Sequence, residues 1–104
     1  MVGDQIWVAG QIGTDGGESL REQAKRALDK IEGLLVQAGS SKSDLVKVTV
    51  LLIDMKDFSD FNEIYGKWLE GTVLPARAAF AVKELPGQAK VEVVAEAVLG
   101  SGGI

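Results

Sequence analysis

The segment Leu45-Val-Lys-Val-Thr-Val-Leu-Leu-Ile53 decides the fold class, because only a lysine and a threonine interrupt its apolar, largely β-branched side chains. Such a run is typical of a β-strand, and it is too apolar on both faces for a strand with one side in water. We therefore expect a strand with two covered faces, on which the following residues alternate: Val46, Val48, Val50 and Leu52 against Leu51 and Ile53.

A helix precedes this strand. Ser19 and Glu22 have the S-x-x-E spacing of a capping box, and Gly39 is placed to end the helix in a left-handed conformation. Residues 5–9 predict a short strand, and residues 10–17, which are rich in glycine, predict a loop. Apolar residues recur along one stripe of the helix: Leu20, Ala24, Ala27, Leu28, Ile31, Leu34, Leu35 and Ala38.

A second helix and two strands follow. Asp57 or Ser59 is positioned to cap the helix. Its buried side is predicted to carry Phe58, Phe61, Ile64, Tyr65, Trp68 and Leu69. Strands are predicted at 76–83 and 90–99, joined by a turn at 85–88, and the tail 100–104 is predicted to fray. The order β-α-β-α-β-β predicts one α+β domain over residues 1–104.

Self-association follows from the apolar character of both sheet faces. Two helices can cover only one face, so a monomer would expose a large apolar surface, which soluble proteins rarely do. We therefore expect another copy of the chain to cover the second face. The last strand shows the same alternation, with Val91, Val93, Ala95 and Ala97 against Val94 and Val98.

The composition excludes several classes of site. The chain has no cysteine and no histidine, so it has no thiolate nucleophile, imidazole base, or metal site built on either residue. Eleven basic residues against fifteen acidic ones argue against nucleic-acid binding. No apolar run approaches the roughly 18 residues of a membrane span, and the N-terminus lacks the basic start of a signal peptide. A cytoplasmic location is expected.

Arg77 is the first candidate for a functional residue. It follows Pro75 at the start of a predicted strand and is surrounded by alanines, which leave space beside its guanidinium. The planar fork of an arginine suits a carboxylate ligand. Taken alone, the residues favour the alternative, in which Arg77 extends into water from a strand end or pairs with a nearby acid.

Three further polar residues lie in unexpected places. Glu92 and Glu96 interrupt an apolar strand, where a carboxylate suits a general acid or base. The alternative is a solvent-facing edge or an ion pair, and it is stronger for Glu96. Asn62 is a mediocre helix former inside a predicted helix, and it points either into a cleft or to water. The aromatic residues Phe61, Tyr65 and Trp68 are interpreted as core packing.

Six motifs, in this order and with sensible spacing, resemble the RidA/YjgF family of reactive-intermediate deaminases, also described as endoribonucleases L-PSP or translation inhibitors. The resemblance runs from about Gly3 to Leu99 and implies a chorismate-mutase-like fold with two helices on one face of a mixed sheet. It also implies a homotrimer with clefts between subunits. The motifs are Val8-Ala-Gly-Gln-Ile12, Gln37-Ala-Gly39, Asp44-Leu-Val-Lys-Val-Thr-Val50, Asp57-Phe-Ser-Asp-Phe-Asn-Glu-Ile-Tyr65, Pro75-Ala-Arg77, and Leu85-Pro86 followed by Val91-Glu92-Val93.

The resemblance also implies an activity and roles for particular residues. Family members hydrolyse small 2-imino acids, released by pyridoxal-phosphate enzymes, to 2-oxo acids and ammonia, without a metal or cofactor. By position, Arg77 would bind the substrate carboxylate and Glu92 would orient or activate the attacking water. Gly10 would line the cleft, Asn62 would reach it from the second helix, and the backbone of Ala79 would contact the substrate.

The chain departs from the family pattern in three places. Members usually begin with a segment containing Gly-Pro-Tyr, whose tyrosine borders the cleft, and this chain starts beyond it. Ala78-Ala79 stand where Ser-Cys is common, and Ala9 replaces a common Ser or Thr.

Two other functions stay open. One is a non-catalytic protein that binds a small carboxylate. The other, weaker one is a ribonuclease or translation inhibitor, which the lack of histidine disfavours.

Overall fold

The computed structural model describes residues 1–103, which form four β-strands and two α-helices. The predicted order β-α-β-α-β-β is confirmed. The elements are β1 (Gln5–Ile12), α1 (Leu20–Gln37), β2 (Leu45–Leu52), α2 (Phe58–Trp68), β3 (Ala76–Ala81) and β4 (Val91–Val98).

The four strands form one mixed sheet in the order β1-β4-β2-β3. β4 runs antiparallel to both β1 and β2, whereas β2 and β3 are parallel. A parallel pair needs a crossover connection, and α2 supplies it between β2 and β3. This topology leaves β3 at one edge of the sheet, with α2 packed close to it.

The two helices begin in different ways. In α1 the predicted capping box is confirmed: Ser19 Oγ accepts from the Glu22 N–H at 3.1 Å, and Glu22 Oε1 accepts from the Ser19 N–H. Gly39, with a φ of 81°, follows its last turn. In α2, Asp57 holds the cap position without a side-chain hydrogen bond, and Asp54 caps the preceding short turn instead.

The core lies between the helices and one face of the sheet. Both helices pack on that face, as predicted. Phe61 of α2 and Ile31 of α1 are fully buried against strand side chains. The remaining members of this core include Ala24, Ala27, Leu28, Leu35, Val48, Val50, Leu52, Tyr65, Leu69, Val91, Val93, Ala95 and Ala97.

Two β-bulges shift the predicted strand patterns. In β1 the register changes between Val8 and Gln11, so Gly10 lies in a bulge of a strand that extends to Ile12, and its assignment to a loop was wrong. In β2 the register changes between Leu45 and Lys47. Leu45 is therefore buried and Val46 is exposed, which corrects the predicted place of Val46 on the same face as Val48 and Val50.

Residues 100–102 are anchored, so the prediction that the tail frays was wrong for this part of it. The buried Asp44 carboxylate accepts hydrogen bonds from the Gly100 and Gly102 N–H groups at 3.1 and 2.9 Å, and from Ser40 Oγ at 2.6 Å. The hydrogen bond from Ser40 is the main reason that the pKa of Asp44 is lowered. Ile104 lies outside the described residues.

The sheet face opposite the helices, here called the open face, carries both apolar and charged side chains. Trp7 and Phe80 are about half exposed on it, and Leu51 and Val94 lie between them in the middle strands. The predicted oligomer that would cover this face stays a prediction. Within residues 1–103, no helix is long and apolar enough to span a membrane.

Candidate functional site

Arg77 lies near the start of the edge strand β3, on the face that the helices cover. In the parallel ladder it is paired with Val48, which is fully buried on that face. Ala79 lies two residues further along β3 and therefore on the same face. The helix α2, which connects β2 to β3, places side chains directly beside the Arg77 guanidinium.

Three side chains of α2 surround this guanidinium. Nη1 of Arg77 donates a hydrogen bond to Asn62 Oδ1 at 2.5 Å. The guanidinium carbon lies 5.2 Å from the ring centroid of Phe58 and 5.1 Å from that of Tyr65. Positions 58, 62 and 65 share one helical stripe because they are spaced i, i+4 and i+7. Phe58, Asn62, Tyr65 and Arg77 are called the arginine cluster below.

The arginine cluster carries an unneutralised positive charge within the described residues. No carboxylate in residues 1–103 forms an ion pair with Arg77, so the predicted alternative of pairing with a nearby acid is not seen there. Burial raises the pKa of the Tyr65 hydroxyl, and the charge of Arg77 acts in the opposite direction. A guanidinium has five N–H donors, and those that Asn62 does not use can bind a carboxylate.

Glu92 lies on the open face, above the bulge of β1. It is paired with Ile12 of β1 and Leu51 of β2. A Cβ added to Gly10 would overlap with Glu92 Oε2 and lie 2.9 Å from Cδ. Gly10 therefore leaves the space that the carboxylate occupies, and the structure brings these two predicted residues together. They are called the glutamate pair below.

One chain does not bring the arginine cluster and the glutamate pair together. Arg77 is on the helix-covered face and Glu92 is on the open face. Their strands are separated by β2, a distance of two strand spacings or about 10 Å. The predicted residues thus form two half-sites: Arg77, Asn62 and Ala79 in one, and Gly10 and Glu92 in the other.

The sequence interpretation missed the contacts of Phe58 and Tyr65 with Arg77. Tyr65 does pack in the core, as predicted, with its ring stacked near Phe61. Its contact with the guanidinium could have been inferred from the helical stripe that Tyr65 shares with Asn62, once Asn62 had been placed in a cleft. Within residues 1–103, no three acidic side chains cluster closely enough to hold a metal ion.

Comparison with known proteins shows the family. The family model of endoribonuclease L-PSP matches residues 1–99. The chain belongs to the endoribonuclease L-PSP family. A relative in Mus musculus, named 2-iminobutanoate/2-iminopropanoate deaminase, is 43% identical over 101 residues, which cover 91% of this chain and 74% of the mouse protein. The resemblance inferred from the six motifs is thereby confirmed.

Solved structures of other L-PSP family members have the same fold. The YjgF gene product of E. coli is 32% identical, with a TM-score of 0.88 over 94% of this chain and 83% of that one. E. coli TdcF, whose structure contains bound serine, is 31% identical, with a TM-score of 0.88 over 94% and 83% of the two chains. The predicted α+β fold is confirmed.

Proposed function

We propose that this protein hydrolyses small 2-imino acids to 2-oxo acids and ammonia. The observation that carries the proposal is the arginine cluster, in which Asn62 and two aromatic rings hold a guanidinium that has no carboxylate partner in the described chain. A 2-imino acid supplies such a carboxylate next to its electrophilic carbon. The name of the mouse relative points to the same substrate class.

The chemistry requires positioning, one anion-binding group and one proton carrier. Arg77 binds the substrate carboxylate through two N–H groups. Glu92 accepts a proton from water as the water oxygen bonds to the imine carbon, and the nitrogen of the tetrahedral adduct is protonated in return. The hydroxyl proton of the adduct passes by way of Glu92 to the nitrogen, the carbon–nitrogen bond breaks, ammonia leaves, and the carbonyl of the 2-oxo acid forms. Gly10 lines this cleft, and the Ala79 backbone contacts the substrate.

A second copy of the chain completes the site in this proposal. Arg77 and Glu92 face opposite sides of one sheet, so one substrate cannot contact both within a monomer. If the open face packs against other copies in a trimer, the glutamate pair of one copy can meet the arginine cluster of its neighbour. The exposed Trp7 and Phe80 of the open face favour such packing.

A coupled assay tests the activity. A serine or threonine dehydratase generates the imine, and formation of the 2-oxo acid is followed with and without this protein. We expect acceleration by the wild type and none by Arg77→Ala. Arg21→Ala is the matched control, because Arg21 is an exposed arginine paired with Asp60 and Glu63. Equal activity of Arg77→Ala and wild type would contradict the proposal.

Subunit mixing tests whether the site is shared. Arg77→Ala and Glu92→Ala are each expected to be inactive alone. When equal amounts are unfolded and refolded together, about a quarter of the clefts should combine an intact Arg77 with an intact Glu92 from the neighbouring copy. Recovery of about that fraction of wild-type activity supports the shared site. If mixed oligomers form and stay inactive, both residues act from one copy.

A second candidate is binding of a small carboxylate without turnover. The serine bound in the TdcF structure favours it, because serine carries a carboxylate and is not an imine. Calorimetric titration with pyruvate separates the two functions: binding without acceleration of imine hydrolysis supports this candidate.

RNA cleavage, which the family description names, is disfavoured because the chain has net charge −4 and no histidine.

A further inference from the structure

The guanidinium of Arg77 lies against the faces of two aromatic rings. Its carbon is 5.1 Å from the Tyr65 centroid and 5.2 Å from the Phe58 centroid. Both distances are within the roughly 6 Å at which a ring attracts a cation. We infer that Phe58 and Tyr65 are positioning residues that fix the orientation of the guanidinium for carboxylate binding, an inference that rests on the proposed function.

The contacts of Arg77 with Phe58, Tyr65 and Asn62 together restrict its guanidinium. The two rings limit the positions that the guanidinium can occupy, and the hydrogen bond to Asn62 Oδ1 holds its Nη1 atom. An exposed arginine without such contacts samples many rotamers, and a ligand that binds it must immobilise the side chain. Neither aromatic side chain accepts a hydrogen bond from Arg77, so the N–H donors that Asn62 leaves can form a bidentate pair with a carboxylate.

The ring of Tyr65, rather than its hydroxyl, supplies this effect. The hydroxyl is buried and has no hydrogen-bond partner among the described residues, so it cannot be the group that holds Arg77. Tyr65→Phe therefore keeps the contact with Arg77, whereas Tyr65→Leu removes it. Phe58 is only partly buried at the start of α2, so Phe58→Leu tests the same effect at a smaller cost to the core.

Kinetics and binding provide the first test. For Tyr65→Leu and Phe58→Leu we expect KM for the imine, and Kd for pyruvate by calorimetry, to rise about 3- to 10-fold. The kcat value should change by less than about twofold, because the rings act on ground-state carboxylate binding. Tyr65→Phe should behave as wild type. Leu35→Ala, at a fully buried position of α1 outside the arginine cluster, controls for loss of core packing.

NMR of the arginine Nε–Hε groups provides a test that needs neither turnover nor ligand. The chain has three arginines, so the resonances can be assigned by substitution. Ring currents should shift the Arg77 Hε resonance away from those of Arg21 and Arg26 in the wild type and in Tyr65→Phe. The shift should diminish in Tyr65→Leu and Phe58→Leu.

The possible outcomes separate the inference from the proposed function. If both leucine variants fold but retain the wild-type Arg77 resonance and pyruvate Kd, the positioning role is wrong, whatever the activity. If the wild type fails to hydrolyse imines while pyruvate binding weakens in the leucine variants, the proposed activity is wrong and the positioning role is supported.

Discussion

The carboxylate of Glu92 lies over Gly10 so closely that a methyl group on Gly10 would overlap with Oε2. The contact joins β4 to the bulge of β1 across a ladder in which Glu92 is paired with Ile12. A residue without a side chain is thus needed to leave room for the carboxylate. This relationship fixes one half of the proposed site within each chain.

Gly10→Ala is expected to lower turnover by about 10-fold or more, because small misplacements of a catalytic group are costly. Glu92 is a flexible side chain that can move away from the added methyl group, so the free energy of unfolding should change little. Pyruvate affinity, which depends on Arg77, should be retained. The measurements are kcat, calorimetric Kd and urea unfolding.

The matched control for this substitution is Gly33→Ala. Gly33 lies in the middle of α1, and an added Cβ there would meet no atom within 4 Å. This variant should keep full activity and gain about 0.5–1 kcal/mol of stability from the better helix former. Wild-type turnover in Gly10→Ala would show that the position of Glu92 is not critical.

Replacing Arg77 by lysine tests whether the fork of the guanidinium matters beyond its charge. Arg77→Lys keeps one positive charge but loses the planar fork and its bidentate geometry. We expect kcat/KM to fall by about 10- to 100-fold. Arg26→Lys, on the exposed side of α1 beside Asp15, should have no effect on activity. If Arg77→Lys is as active as the wild type, a point charge at position 77 is sufficient.

The helices and strands were predictable from the sequence because their signals are local. The Ser19–Glu22 capping box and the helical period of α1 are read within one segment, and both are confirmed. The bulges in β1 and β2 were not predictable, because a register shift depends on the partner strand. For the same reason the sequence could not show that Gly10 belongs to a strand.

The candidate site was predictable only in part. Motif order pointed to Arg77 and Glu92, but their separation onto opposite faces depends on the pairing of Arg77 with Val48 across a parallel ladder. The alternation of side chains within one strand does not show which of its residues share a face with the residues of another strand. The contact of Tyr65 with Arg77 was hidden for a similar reason, since an aromatic residue at helical spacing already has an explanation in the core.

Asp44 shows how a non-local contact escapes sequence analysis and leads to a prediction on acid stability. Its buried carboxylate holds the tail through the Gly100 and Gly102 N–H groups, and hydrogen bonds, first of all from Ser40, lower its pKa. A lowered folded-state pKa stabilises the fold above the unfolded-state pKa of about 3.9. That contribution is lost as the pH falls through the folded-state value.

Asp44→Asn should therefore lower the free energy of unfolding at pH 7 by about 1–3 kcal/mol, because the amide cannot accept the same set of hydrogen bonds. The difference from wild type should shrink below about pH 4, where the wild-type carboxylate is itself protonated. Urea unfolding between pH 7 and pH 2.5 measures both. Asp29→Asn, at an exposed position of α1, should follow the wild type throughout. If the difference in unfolding free energy between Asp44→Asn and the wild type does not change with pH, the effect does not come from the charge of Asp44.

The open face provides the last prediction, which concerns assembly. Val94 lies in the middle of this face, on β4 and opposite Thr49 of β2, and it is half-buried in one chain. If other copies cover the face, Val94→Glu places a charge in an apolar interface, where an unpaired charge is strongly unfavourable. We expect a folded monomer without imine hydrolysis, as measured by light scattering, circular dichroism and the coupled assay.

Val36→Glu separates this effect from a general effect of the added charge. Val36 is 61% exposed on α1, away from the sheet, so this variant should keep the oligomer and the activity of the wild type. The shared site also requires that Val94→Glu still bind Arg77-dependent ligands weakly, because the arginine cluster is complete within one chain. An active monomer would show that Arg77 and Glu92 do not need to meet across an interface, and the shared site would have to be abandoned.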